Sequence, residues 1–176
     1  MGRSLCFSMS LLLLAAAAAP ALADTVQLPL RKAGLWDIKM DHEGAKLPEM
    51  TIQQCTNEAV DREFTAEFAP AAKQTCSKSD IQKTATGYVS DSVCSVAGAT
   101  VTSHTETSGD FSSAYTVKVT SHSEGGKLGA RDSKMTISAK WAGACKDGQK
   151  PGDVVMPGGF KMNVRDLERM KAMLPK

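Results

Sequence analysis

The sequence predicts an α+β fold that is mainly β: a curved antiparallel meander with one or two helices packed on it and two disulfides. Three observations carry this expectation. Apolar and polar residues alternate with a period of two over much of the chain, the mark of half-buried strands. The strand candidates from Ile81 onward follow one another through short connections, whereas parallel neighbours would need long crossovers. Once an N-terminal export segment is set aside, an even number of cysteines remains, and exported chains use such cysteines for disulfides.

The export segment comes first. Arg3 supplies a positive start, Leu11 to Ala19 is an unbroken apolar run, and Ala21-Leu22-Ala23 is a small-x-small cleavage site ahead of Asp24. The run is too short for a membrane span. Cys6 lies upstream of it, where a lipidated cysteine would not be. Residues 1–23 therefore read as a signal peptide and residues 24–176 as a single domain without a membrane anchor, the size of one ordinary folding unit with a real core. The expected location is the periplasm of a Gram-negative envelope.

Along the domain, Trp36, Ile38 and Met40 alternate with Asp37 and Lys39, so Leu35 to Asp41 is a strand. Met50 to Cys55 is a second, beyond a Gly44 to Pro48 turn. Val60, Phe64 and Phe68 then recur at helical spacing, with Thr56 as a cap and Pro70 beyond the end. Tyr88 to Val96 is a strand. Thr100 to Thr107 and Ala114 to Ser121 form a hairpin around Ser108 to Ser113. Glu124 to Ala130 is a glycine-bearing loop, and Met135, Ile137, Ala139 and Trp141 mark a further strand. Lys146 to Phe160, with Pro151 and Pro157, reads as a long loop. Asn163 caps a helix from about 164 to 174, with Val164, Leu167, Met170 and Leu174 as its apolar stripe. The sheet should have six or seven strands.

Without Cys6 the thiols are Cys55, Cys76, Cys94 and Cys145. They lack the close pairs of a four-thiolate zinc site, which favours disulfides. A hairpin folded near Ala85, in the Thr84-Ala85-Thr86-Gly87 turn, sets Cys76 opposite Cys94, close enough to bridge. Elimination then joins Cys55 to Cys145. In the chain-entropy picture the longer link stabilises by about 4–5 kcal/mol and the shorter by about 3.

Chemistry is harder to find. The chain carries 21 basic and 19 acidic residues, a formal charge of +2, with no block of one sign; this argues against a nucleic-acid or acidic-membrane partner. There is no nucleophile elbow, P-loop, dinucleotide fingerprint or calcium loop. His104 and His122 lie in the two arms of one hairpin, but their count from the turn is not symmetric, and polar surface histidines are the plainer reading. Glu58, Asp61 and Glu63 suit a helix start, and Asp110 suits a turn. Met135, Met156, Met162, Met170 and Met173 read as core filler before they read as a soft binding face. No catalytic residue, metal ligand or cofactor is assigned.

Four local patterns, in order, carry a resemblance. Arg31-Lys32-Ala33-Gly34-Leu35-Trp36 opens it, and Cys55 follows after Met50 to Gln54. Gly109-Asp110-Phe111-Ser112-Ser113-Ala114-Tyr115 forms its centre. Trp141-Ala142-Gly143-Ala144-Cys145, with Lys150 to Pro157, closes it. Over about Arg31 to Met162 the chain resembles the domain of unknown function 3617, a family of small exported bacterial proteins. The resemblance implies the compartment and no site residue. The functional expectation is a non-catalytic domain that binds a small apolar ligand or an envelope protein. The alternative is a hydrolase or transferase whose site would gather two or three of His42, His104, His122, Asp110 and Asp153.

Overall fold

The computed structural model describes residues 26, 28–44, 50–63, 74–127 and 129–166. The signal segment, Phe64, Phe68, Pro70 and the closing helix beyond residue 166 lie outside them. The described residues form nine strands: β1 (Gly34–Glu43), β2 (Met50–Thr56), β3 (Cys76–Lys83), β4 (Gly87–Val96), β5 (Ala99–Asp110), β6 (Ala114–Gly125), β7 (Arg131–Gly143), β8 (Asp153–Val155) and β9 (Lys161–Asn163). They make one sheet in the order β3-β4-β5-β6-β7-β1-β2-β8-β9, each neighbouring pair antiparallel.

The mainly-β antiparallel meander is thus the observed fold, and it is larger than six or seven strands. The difference lies in Lys146 to Phe160, which is not all loop: β8 lies within it and β9 follows it. Strands of three residues have too little length to display alternation, so periodicity misses them. Asp153 marks the place. It is 5% exposed and accepts hydrogen bonds from the Lys150 amide at 2.9 Å and from Asn163 Nδ2 at 2.7 Å, joining β8 to β9.

The chain starts in the middle of its sheet. β1 pairs with β2 on one side and with β7 on the other, so it closes the meander long after it is laid down. Burial follows from that central place. Trp36 is completely buried and clusters with Ile38 and Ala139; Ile52, Tyr115, Ile137 and Trp141 pack against them. The Trp36 indole N–H donates to the Lys32 carbonyl at 2.9 Å, so burying the ring strands no donor. A bulge sits between Leu35 and Trp36 in the β1–β7 register. Next to it Gly34 has φ 134°, and a Cβ there would run into the Gly143 carbonyl and the Trp141 ring nitrogen. Only glycine fits both demands.

Residues 58–63 are helical. The cap is Asn57 and not Thr56: Asn57 Oδ1 accepts from the Val60 amide at 3.0 Å. Thr56 is instead buried, its hydroxyl donating to Asp61 Oδ1 at 2.7 Å. Residues 164–166 are helical, and Asn163 Oδ1 accepts from the Arg165 amide at 3.0 Å, the predicted cap.

The cysteines are joined in two pairs. Cys76 and Cys94 face each other in the β3–β4 register, with S–S 2.02 Å. Cys55 and Cys145 are linked at 1.98 Å with Cα atoms 5.4 Å apart. Leu35 faces Cys55 on one side and Gly143 on the other, so this second link joins β2 to the residues just past the end of β7, across β1.

Candidate functional site

Strand register sorts side chains onto two faces, and the faces differ in charge. On the face that holds Trp36, β4, β5 and β6 present Tyr, Ser, Thr, Val, Ala, Cys and Gly, with no charged side chain. Asp91, His104, Glu106, Lys118, His122 and Glu124 all fall on the opposite face. The face that holds Trp36 is termed the inner face; Lys83 of β3, opposite Tyr88, and Arg131 of β7, opposite Ser123, also lie on it.

A groove of about 400 Å³ runs along the inner face. One wall is apolar, from Ile38, Val117 and Ile137 on the sheet and from Leu28 and Leu30 of the segment that precedes β1. Phe111, at the β5–β6 turn, stacks on Tyr115 with ring centroids 4.6 Å apart and also lines it. Beside these on the sheet the lining is hydroxylated, with Tyr88, Ser90, Thr105 and Thr107, and Ile81 of β3 borders it opposite Ser90. The register pairs Tyr88 with Thr107 and Ser90 with Thr105 directly across β4 and β5.

The preceding segment is fixed there by backbone and side chain. The Lys32 amide donates to the Phe111 carbonyl at 2.9 Å, and the Lys32 ammonium sits 3.5 Å from the Trp141 ring centroid. At one end of the groove Arg31 and Asp61 form a buried pair with side chains 12% and 7% exposed. Arg31 Nη2 donates to Asp61 Oδ1 at 2.7 Å, Nε donates to both carboxylate oxygens, and Nη1 donates to Gln54 Oε1 at 2.9 Å. Burial alone would raise the Asp61 pKa; the Arg31 and Thr56 hydrogen bonds and the Arg31 charge outweigh it and hold the carboxyl below its usual range. Burial likewise opposes the Arg31 charge, and Asp61 overcomes it, leaving the guanidinium above its usual value. Burial pushes the Tyr115 phenol up.

A more open hollow of about 490 Å³ lies on the other face, where Asp37, Lys39, Thr51, Ser138 and Lys140 line it. Its charged rim and openness make it a weaker enclosure for an apolar molecule.

The residues considered for catalysis do not converge. His104 Nδ1 lies 2.8 Å from Asp91, directly across β4 and β5, and His122 Nδ1 lies 2.6 Å from Asp132, directly across β6 and β7. Those carboxylates raise the pKa of both imidazoles. His42 lies towards the end of β1, opposite Met135. Asp110 accepts from the Ser112 amide and the Ser113 hydroxyl in the β5–β6 turn, and Asp153 is held in β8. Among the described residues no group of three His, Cys, Asp or Glu side chains is arranged to hold a metal ion.

Sequence reading missed the groove. It assigned Asp61 to an ordinary helix start, although Asp61 follows Val60, which is buried. Arg31 carried a signal too, as a cation directly against the apolar run Leu28-Pro29-Leu30.

No curated protein and no solved structure matches the chain. A family model described as a protein of unknown function (DUF3617) matches residues 31–145. That stretch holds β1 to β7 and the Cys55–Cys145 link, while Lys150 to Pro157 lies beyond it. With two thirds of its length under that model, including the strands that build the groove, this chain belongs to the DUF3617 family.

Proposed function

We propose that this is an exported, periplasmic, non-catalytic binding protein that holds a small apolar ligand on the inner face of its sheet. The observation that carries the reading is the groove of about 400 Å³ with an apolar wall, within the size range of small-molecule sites. Trp36 and Tyr115, whose ring centroids are 5.5 Å apart, fill the neighbouring core. The groove persists beside them, with Tyr115 as part of its lining.

Export rests on the signal-like residues 1–23 and on two disulfides that suit an oxidising compartment. Retention of both pairs supports a structural use of all four thiols, which leaves none as a nucleophile.

Native mass spectrometry of the protein released from a cell envelope tests the reading. The expected result is a monodisperse adduct that organic extraction removes and incubation with an apolar probe restores. A bare mass in both cases would overturn it. The N-terminus found in the same spectrum tests cleavage before Asp24.

A further inference from the structure

We infer that the groove selects an uncharged amphiphile, an acyl chain bearing a neutral hydroxyl or ester head, over a fatty-acid anion or a phospholipid. The inference rests on the proposed binding role and narrows it to a ligand class. Its first support is the segregation of charge. The inner positions of β4, β5 and β6 carry no charged side chain, and the two charged residues lining the groove, Arg31 and Asp61, are bonded to each other. Lys83 of β3 stands beside Tyr88 but outside the lining, so an anionic head seated among the lining residues would meet no free counter-charge there, and a buried unpaired charge is costly.

The second support is what the uncharged wall offers. Tyr88, Ser90, Thr105 and Thr107 place four hydroxyls along the groove in two facing cross-strand pairs. None of them has a hydrogen-bond partner among the described residues, whereas the Ser77 and Ser123 hydroxyls both donate to carbonyls. These hydroxyls can both donate and accept, as a glycerol or ester head requires. The apolar lining beside them, Ile38, Val117, Ile137, Leu28 and Leu30, receives the chain.

The test uses delipidated protein with both disulfides intact and three probes: monopalmitin, palmitate at pH 8 and hexadecane. Monopalmitin should bind at least tenfold more tightly than palmitate. In Ser90→Ala/Thr105→Val it should weaken about tenfold, as expected for two lost hydrogen bonds, while hexadecane is unaffected. Thr102→Val, on the opposite face of the same strand, should leave all three unchanged. Palmitate binding as tightly as monopalmitin in the wild-type protein would overturn the inference and leave the binding role standing, whatever the stability of the variants. Unchanged monopalmitin affinity in a folded double variant would also overturn it. Failure of all three probes to bind would overturn the binding role itself.

Discussion

Arg31 and Asp61 show how much one pair of side chains can decide. They join the segment before β1 to the helix after β2, and each is desolvated against the other. Asp61→Asn leaves the guanidinium buried without its counter-charge and should cost about 3–5 kcal/mol in denaturant unfolding. The pH dependence follows from the lowered Asp61 pKa: its contribution is present above the unfolded-state value near 3.9 and is lost as pH falls through the folded-state value. The variant should lose that acid-limb slope. The surface histidines behave oppositely. His104 and His122 have raised pKa values, so their pairs contribute below the unfolded value near 6.5 and fade as pH rises through the folded one. An NMR titration should find both midpoints above the usual imidazole range, and Asp91→Asn should bring His104 back towards it. Gly34→Ala, which meets backbone and strains φ, should destabilise by about 1–3 kcal/mol.

Among the elements, long strands were legible and short ones were not. β5 alternates along most of its length, and β6 and β7 do so over long stretches, so sequence periodicity located them, their hairpin turn and the offset between His104 and His122. β8 and β9 exist because pairing to β2 and an Asp153–Asn163 bond hold them, and neither cause leaves a periodic trace. The groove was illegible for a related reason. The alternation that reveals a strand does not say whether its hydroxyls meet water or line a cleft; only the register across four strands decides that. β3 forms an open edge, exposed along almost all its length, with Lys78 and Lys83 to discourage pairing with a neighbour. Its attachment depends on β4 and on the Cys76–Cys94 link. Cys76→Ser/Cys94→Ser should lower stability by about 3 kcal/mol, with hydrogen exchange in β3 accelerating more than in β1.

For the molecule as a whole, the sheet order places β1 in the interior, between β2 and the much later β7. Nothing in residues 34–56 can complete the core until β7 arrives, because Trp36 and Ile38 are buried against Ala139 and its neighbours. The Cys55–Cys145 link closes a loop of sequence separation 90 around that event, and its loss in Cys55→Ser/Cys145→Ser should cost about 4–5 kcal/mol. The two links are nested, the 76–94 pair lying wholly inside the 55–145 pair. A chain oxidised in order of emergence from a translocation pore would join its first two thiols, Cys55 and Cys76, which is the wrong partnership. On the proposed export route a shuffling catalyst would have to reopen such mismatched bridges, and peptide mapping of material exported without an isomerase should reveal the 55–76 species.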